Sequence, residues 1–423
     1  MAGLRSRLRP GTAAGALALA VPIAVAAVVT HRATGRYWGD LAAYRAGARA
    51  ATAGDGNLYD LVLRGVVPGV DLAFVYPPFP ALLLRPLAAV SFDAGIALWT
   101  LLSVLALAAV VARALRLLAP GTPERRHALL TLGGTVAALP TFPVSGHLQA
   151  GQVGLFLMLV VLLDLTGDPD RWWRGLGVGL AAGVKLTPLI FVAYLLVTRR
   201  FRAALAAAGT FLATIAVGYA WHPADSTRFW SGAAVETGRI NADPRWVFNQ
   251  SLHGALARIG DTATPPRVLW LLLAAFVGVA GLALAARAAR AGDELLGVLT
   301  CALTGVLVSP ISWHHHWVWF VPALLLLAVR SWPARRRAGL VTAGGVWLGL
   351  VASTGWVVLL LRGDDLHFHG AGLLIANGYV LVGLLALAAV AYHLHRPHRP
   401  PAPTGGRADR TATPAPLRTG GAR

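Results

Sequence analysis

Residues 11–30, GTAAGALALAVPIAVAAVVT, form an uncharged apolar run that follows three arginines, Arg5, Arg7 and Arg9. A helix needs about 20 apolar residues to cross a bilayer, so this run is long enough to span one. It is also compatible with a cleaved secretory signal, but comparable runs recur as far as residue 393, which favours a retained anchor. Because basic residues before a first span stay inside, we expect residues 1–10 to be cytoplasmic.

The composition of the whole chain indicates the same class of protein. Of its 423 residues, 56% are hydrophobic and only 13% are charged, too few to build the surface of a soluble protein. A soluble enzyme, a disordered chain and a fibrous repeat are therefore excluded. The net charge of +19 comes from arginines clustered between apolar runs. This is typical of topology determinants, so we expect no nucleic-acid partner.

The apolar runs and the arginine clusters together predict an all-α polytopic membrane protein with about twelve membrane segments. Residues 11–393 are predicted to form a single transmembrane domain, and residues 394–423 a disordered basic cytoplasmic tail. Both termini are then cytoplasmic. The predicted segments lie near residues 11–30, 94–113, 128–142, 150–166, 175–198 (two half-length helices), 203–221, 267–287, 294–309, 314–330, 339–361 and 371–393.

Two apolar stretches are predicted not to cross the membrane. Residues 78–90 would carry later arginines to the wrong side if they crossed, so we expect a helix along the outer interface. Residues 175–198 are followed by Arg199, Arg200 and Arg202 and are interrupted by Lys185 and Pro188. A re-entrant hairpin with Lys185 near its tip satisfies both the charge rule and the helix breaker.

This orientation places most acidic, amide and imidazole side chains on the outer face. Nucleotide sugars and ATP are cytoplasmic, so group transfer outside requires a donor that the membrane delivers, such as a polyprenyl-phosphate-linked sugar. That chemistry needs a carboxylate to accept the acceptor's proton and cations or imidazoles to hold the leaving phosphate. Both types of group are present on this side.

Asp40 follows the first span in RYWGDLAAY (36–44) and is the candidate general base. From spacing alone it is equally explained as the cap of a helix that starts at Leu41. Lys185 is the one lysine of the chain and sits in an apolar run. A cation at membrane depth indicates function, although snorkelling to the interface is an alternative.

Further candidates are amides and imidazoles on the same predicted face. His314, His315 and His316 are consecutive, so they cannot all bind one metal ion from a helix, and the sequence predicts no metal site. One or two of them could contact a phosphate or a hydroxyl, or the cluster could simply be solvated. The weaker candidates are His147, Gln152, Asn249 and Gln250.

Several short motifs follow one another between residues 35 and 320, and the C-terminal third adds little. They are Asp40-x-x-x-Tyr44, Asn57-Leu58-Tyr59, Tyr76-Pro77-Pro78-Phe79, Gly151-Gln152, Lys185-x-x-Pro188, Asn249-Gln250-Ser251 and Ser309-Pro310-Ile311-Ser312-Trp313 with the histidines after it. In their order, the sequence resembles the GT-C membrane glycosyltransferases, in particular the actinobacterial polyprenyl-phosphate-dependent mannosyltransferases of glycosyltransferase family 87.

The resemblance implies an inverting transfer of mannose from polyprenyl-phosphate-mannose to a lipid-linked or polysaccharide acceptor outside the cytoplasmic membrane. Asp40 matches the general base of such enzymes, and Lys185 with His314 to His316 would neutralise the phosphate or orient the sugar. Tyr44, Tyr76, His147, Gln152, Asn249 and Gln250 are the further expected substrate contacts, and no cofactor is implied. Relatives often have Asn after Gly151-Gln152, where this chain has Val153, so a sugar contact there is in question.

Two alternatives stay open. Related enzymes transfer arabinofuranose from a polyprenyl-phosphate donor. A transporter or lipid flippase would also have many segments and a broken helix, but its polar residues should reach both faces.

Overall fold

The computed structural model describes residues 10–35, 38–53, 58–67, 70–233, 243–332, 336–360 and 366–396. Residues 1–9, Asn57 of the second motif and the tail from 397 onward lie outside this part, so the predictions for them stay untested. The described chain is mostly helical. Its α-helices are α1 (Pro10–Thr34), α2 (Gly39–Ala53), α3 (Pro78–Leu83), α4 (Phe92–Leu118), α5 (Glu124–Ala138), α6 (Phe142–Ala150), α7 (Gly154–Leu165), α8 (Leu176–Val184), α9 (Ile190–Val197), α10 (Phe201–Trp221), α11 (Pro223–Arg228), α12 (Leu252–Ile259), α13 (Arg267–Arg290), α14 (Glu294–Val308), α15 (Phe320–Ser331), α16 (Arg337–Leu360), α17 (Ala371–Ala376) and α18 (Gly378–His395).

Five of the described helices are long and apolar enough to cross a membrane, namely α1, α4, α10, α13 and α18. The pair α5 and α6 passes the same test together, although the two helices meet at 77°. By length and composition, five or six spans are thus present in the described residues. A polytopic, mostly helical membrane protein is confirmed, whereas the larger number of predicted segments requires shorter helices such as α7, α14 and α15.

A β-hairpin departs from the all-α prediction. Strands β1 (Val62–Val67) and β2 (Val70–Ala73) pair antiparallel, and their valines suit an extended, half-buried backbone. After β2, the Phe74 ring packs so tightly on Gly47 of α2 that a Cβ there would lie 2.5 Å from it. The segment that follows the β-hairpin therefore packs closely against α2. The stretch predicted as an interfacial helix at 78–90 forms α3 and a 3-10 turn, Arg85–Ala88.

The stretch from Leu176 to Val197 reverses direction halfway. α8 ends at Lys185, whose backbone is extended, and Pro188 cannot continue the helix. Arg174, before α8, and Arg200, after α9, both contact the carboxylate of Glu294. Because the two ends of the stretch meet at one side chain, α8 and α9 form the predicted half-length hairpin with Lys185 at its closed end. Its position in a bilayer stays a prediction.

The buried helix α7 separates two polar regions of the molecule. Leu155, Met158, Val161 and Leu162 along it are fully buried in the main apolar core. Gln152 precedes this helix, and Thr166, which binds Arg113, follows it. A 12-residue helix rises ~18 Å, so the polar groups at its two ends cannot touch. The hairpin of α8 and α9 extends between the same two polar regions, with Lys185 near the region at Gln152 and Arg174 in the region at Thr166.

Candidate active site

Asp40 lies in the first turn of α2, and the backbone before it is unusual. Trp38 has a φ of +33°, a left-handed conformation that is costly for a bulky residue. Its N–H donates to the Gln149 carbonyl (3.0 Å), and its own carbonyl accepts from Ala42 (2.9 Å), the first bond of α2. Trp38 therefore fixes the start of α2 against α6 and with it the direction of Asp40. The sequence contained no pattern that predicts this conformation.

The Asp40 carboxylate binds a tyrosine and not the backbone of its own helix. The Tyr76 hydroxyl donates to Asp40 Oδ1 at a distance of 3.2 Å, and the described residues provide no backbone N–H to the carboxylate. The capping explanation is thus not supported. Tyr76 is held by its neighbours, because the Tyr44 hydroxyl donates to Tyr76 Oη (3.1 Å) and Tyr59 donates to its carbonyl (2.9 Å).

Gln152 reaches this cluster because of the glycine before it. Gly151 ends α6 with a φ of +72°, and a Cβ there would lie 2.7 Å from the Cβ of Leu41 in α2. Only glycine allows this turn and this approach. The Gln152 amide then lies 3.2 Å from the Tyr44 hydroxyl and 3.4 Å from Tyr76 Oη. Its backbone carbonyl accepts from Trp99 Nε1 (3.1 Å).

Lys185 points into the same cluster. Its Nζ donates to Gln152 Oε1 (3.5 Å), lies 2.9 Å from His316 Nε2 and sits 5.7 Å from the centre of the Tyr76 ring. An ammonium has only donors, so His316 accepts with Nε2 and carries its proton on Nδ1. These partners lie inside the protein, which excludes snorkelling for Lys185 in this structure.

Asp40 and Lys185 influence each other without forming an ion pair. Burial raises the pKa of the Asp40 carboxyl, and this outweighs the opposing effects of the Lys185 charge and of hydrogen bonds from Gln152 and Tyr76. The two charged groups are not within 4 Å of each other, and Tyr76 and Gln152 connect them. The site thus holds a carboxylate and an ammonium apart on one polar network.

The three consecutive histidines differ in their surroundings. His314 stacks on Phe142 with ring centres 4.1 Å apart and contacts Gly146. His315 is buried, and neither of its ring nitrogens has a partner among the described residues. His316 accepts from the Lys185 ammonium through Nε2 (2.9 Å). The imidazole at Lys185 is therefore neutral.

Three other residues that were predicted to contact substrate form hydrogen bonds within the protein. His147 is fully buried, and its Nε2 accepts the Leu155 N–H (2.9 Å) at the start of α7. Asn249 Oδ1 accepts from Ser251 and from the Ser312 N–H. The Gln250 amide donates to the Val247 and Ala376 carbonyls. The structure does not bring Asn249 and Gln250 into contact with Asp40.

The described residues contain no group of three or more His, Cys, Asp or Glu side chains that could hold a metal ion. Asp40, Tyr44, Tyr76, Gln152, Lys185 and His316 do meet in one cluster. Sequence reasoning missed Trp38, Tyr59 and Trp99, which orient it. Of these, Tyr59 belongs to one of the motifs, and Trp38 precedes Asp40 by two residues, but neither position indicated a contact.

Comparisons with known proteins show which family this chain resembles. The model of "Glycosyltransferase family 87" matches residues 74–310. A polyprenol-phosphate-mannose-dependent alpha-(1-2)-phosphatidylinositol pentamannoside mannosyltransferase of Mycobacterium tuberculosis is 36% identical over 363 residues, 83% of this chain and 80% of that protein. The protein of the same description from Mycolicibacterium smegmatis is 34% identical over 84% of this chain and 85% of its own length.

A third relative is a polyprenol-phosphate-mannose-dependent alpha-(1-2)-phosphatidylinositol mannoside mannosyltransferase of Mycobacterium tuberculosis. It is 34% identical over 71% of this chain and 72% of its own length. No solved structure matches the chain. The resemblance predicted from the sequence is confirmed, and the chain belongs to glycosyltransferase family 87, whose members are membrane glycosyltransferases.

Proposed function

We propose that this glycosyltransferase transfers mannose from polyprenyl-phosphate-mannose to a mannosylated phosphatidylinositol on the outer face of the membrane. The donor and the acceptor are those that the names of the relatives give. The observation that carries the proposal is the pair Asp40 and Lys185, joined by Tyr76 and Gln152 but not neutralising each other. A carboxylate and an ammonium that form no ion pair within the described part of the chain are the two groups that such a transfer uses.

Asp40 acts as the general base. The acceptor hydroxyl gives its proton to the Asp40 carboxylate while its oxygen forms a bond to the anomeric carbon of mannose. The raised pKa of Asp40 brings its basicity closer to that of a base working near neutral pH. Tyr76 and Gln152 hold the carboxylate in one direction, so that little reorganisation is needed when the acceptor binds.

Lys185 stabilises the leaving group. As the bond from the anomeric carbon to the phosphate oxygen breaks, negative charge develops on the polyprenyl phosphate, and a fixed ammonium lowers its energy. In an inverting transfer the acceptor attacks opposite the leaving phosphate, so the base and the cation must lie on different sides of the sugar. The separation of Asp40 from Lys185 suits this geometry. Neutral His316 orients the ammonium.

The remaining predicted contacts divide into two roles. His315 is buried beside the cluster with both ring nitrogens free of partners in the described residues, so we assign it to substrate, with His314. Asn249 and Gln250 use their polar atoms on backbone groups and on the Ser251 hydroxyl, so we propose that they shape the site and do not contact the sugar. His147 Nε2 accepts from the Leu155 N–H, whereas its Nδ1 has no partner among the described residues, so we keep His147 as a substrate contact.

The orientation in the membrane follows from the arginines. Arg174, Arg200 and Arg330 lie at the helix ends opposite Asp40, where the positive-inside rule expects the cytoplasm. The short helices α7, α14 and α15 and the longer helix α16 then complete the crossings, and α8 with α9 forms the re-entrant hairpin, which gives the twelve predicted segments. Both termini are cytoplasmic in this arrangement, and the site is extracytoplasmic.

The proposal is tested with purified protein in membrane vesicles. We expect release of polyprenyl phosphate and mannosylation of an added phosphatidylinositol mannoside when polyprenyl-phosphate-mannose is the donor. Polyprenyl-phosphate-arabinofuranose is the matched alternative, and its preferential consumption would overturn the choice of sugar. Transport of either lipid between leaflets without transfer would instead favour a flippase, for which the one-sided Asp40–Lys185 cluster offers no route.

A further inference from the structure

A cavity of about 390 Å³ lies between α1, α4 and α5, far from the Asp40 cluster. Asp40 follows the end of α1, whereas the residues of α1 that line the cavity, such as Gly11, Gly15 and Leu19, lie in the first half of that helix. Its volume falls in the range of ordinary ligand pockets. A ligand bound in this cavity would therefore be distinct from the sugar donor at the Asp40 cluster.

The lining of the cavity changes from apolar to charged along its length. Gly15, Ala16, Leu19 and Ala108 provide an apolar wall on α1 and α4, and Glu124 and Arg125 stand at the start of α5. A second cavity of about 210 Å³ shares Thr12 and Glu124 and adds Arg116. Two guanidinium groups and one carboxylate thus surround the polar end, and the sum of these charges is positive.

A buried hydroxyl in the wall lacks a partner. Thr131 is 1% exposed and lines the cavity, and its Oγ1 has no hydrogen-bonding partner among the described residues. Thr135, one turn further, lines the same wall but donates to the Thr131 carbonyl (2.7 Å). An unsatisfied buried hydroxyl costs stability, so Thr131 indicates a ligand with an acceptor at this depth.

We infer that this cavity binds one anionic glycerophospholipid. Its phosphate lies at Arg125 and Arg116, an ester carbonyl accepts from Thr131, and an acyl chain fills the glycine- and alanine-lined part. Arg125 and Thr131 are ~9 Å apart along α5, which suits the spacing from a phosphate to the glycerol esters. Basic pockets between transmembrane helices bind such headgroups. The assignment of this cavity to the cytoplasmic leaflet rests on the proposed function, and the other parts of the inference do not.

The occupant is distinguishable from a polyprenyl phosphate by its chemistry. A polyprenyl chain has no ester carbonyl for Thr131, and the donor is expected at the opposite ends of the helices, beside Lys185. The bound lipid packs between α1 and α4, so it stabilises the helix whose far end leads to Asp40. We therefore expect binding to raise the melting temperature without being required for donor binding.

Gly15→Leu is the decisive variant. A Cβ at Gly15 meets nothing within 4 Å, and Gly15 lines the cavity, so the added side chain should take up part of its volume. Gly133→Leu is the matched control, because its Cβ also meets nothing and it does not line the cavity. Arg125→Gln removes a headgroup contact, and Thr131→Val removes the hydroxyl with little change of shape.

The experiment measures lipid retention by native mass spectrometry and the melting temperature, using full-length protein in detergent. Added dioleoylphosphatidylglycerol should bind at one site and raise the melting temperature more than dioleoylphosphatidylcholine. Gly15→Leu and Arg125→Gln should each weaken this binding about tenfold or more, and Gly133→Leu should not. Equal binding by wild type and Gly15→Leu, equal binding of the two lipids, or a preference for undecaprenyl phosphate would overturn the inference. Transfer activity does not enter either readout.

Discussion

The two polar regions at opposite ends of α7 and α8 satisfy their charges in opposite ways. In the region at Glu294, the carboxylate binds Arg200 through both oxygens, contacts Arg174 at 3.6 Å and accepts from the Tyr194 hydroxyl at 2.8 Å. In the region at Asp40, the carboxylate is held by Tyr76 and Gln152, and no cation of the described residues lies within 4 Å of it. A neutralised network holds helices together, whereas separated charges leave capacity for a substrate.

The Glu294 network also has a clear mechanical role. Arg174 precedes α8 and Arg200 follows α9, so their common partner closes the base of the hairpin that presents Lys185 at its tip. The Glu294 network therefore supports the Asp40 region from a distance, by holding the hairpin closed in the folded protein. Substitutions in the two regions should separate activity from stability.

The largest expected effect is that of Asp40→Asn. This change keeps the shape of the side chain but removes the base, and general-base catalysis contributes about 10²- to 10⁴-fold. We expect a loss of this size in the rate of mannose transfer, measured with labelled donor, at an unchanged melting temperature. Undiminished turnover would remove Asp40 from the mechanism.

Glu294→Gln is the counterpart of Asp40→Asn in the other region. It leaves two arginines without their carboxylate, which costs about 1–3 kcal/mol for hydrogen bonds to charged groups. The melting temperature should fall, while the transfer rate of protein that remains folded should change much less. Equal loss of activity in the two variants at equal folded fractions would contradict the division between the regions.

Lys185→Met is expected to have the next largest effect. Removing one fixed group that stabilises developing negative charge costs about 10²- to 10³-fold in turnover. Lys185→Arg retains the charge and should recover part of the rate, which a purely structural lysine would not predict. Single-turnover kinetics with labelled donor measure both variants, and equal rates for Met and Arg would contradict a role for the charge.

The pH dependence of kcat/KM tests whether Asp40 is the base. Burial raises the pKa of Asp40 above 3.8, so the base is lost by protonation at a higher pH than for an exposed aspartate. We expect kcat/KM to fall on the acid side through this raised pKa, about tenfold per pH unit below it. An acid limb at the ordinary value would show that Asp40 is solvated during catalysis.

The same shift sets the sign of a stability effect. The folded protein binds the Asp40 proton more tightly than the unfolded chain, so this carboxyl lowers stability as the pH rises from 3.8 through the raised pKa. Asp40→Asn should therefore be at least as stable as wild type at neutral pH. Thermal melts across the pH range measure this, and a clear destabilisation by Asp40→Asn would show that the carboxylate is structural.

The sequence predicted the members of the Asp40 region better than those of the other one. Asp40 and Lys185 were identifiable because a charge beside or within an apolar run needs an explanation. Glu294 and Arg200 were not, since charges at the ends of spans also determine topology. Gln152 was identified by its motif, but the close approach of α2 to Gly151, which directs it, is a tertiary contact that no local pattern contains.

The same limit explains the predictions that did not lead into the site. Asn249 and Gln250 have the chemistry of substrate ligands, and the sequence cannot reveal that backbone groups and the Ser251 hydroxyl already occupy them. The fold class followed from hydropathy, whereas the β-hairpin did not, because six-residue apolar stretches fit a strand or a helix end equally well. Short helices such as α7 were predicted as segments because they are almost uniformly apolar.

A matched pair of tyrosines provides the smallest and most specific test. Tyr76→Phe removes the donor to Asp40, and Tyr194→Phe removes the donor to Glu294. Each lost hydrogen bond is worth about 1 kcal/mol, so the effects should be similar in size and differ in kind. Tyr76→Phe should lower the transfer rate about fivefold, because the Asp40 carboxylate loses the donor that orients it, and should lower the melting temperature less than Tyr194→Phe does, because Tyr44 can still donate to Gln152. Tyr194→Phe should lower the melting temperature and leave the rate nearly unchanged, because two arginines still hold Glu294. If both variants affected only stability, the Asp40 region would be a second structural network, and its separated charges would need another explanation.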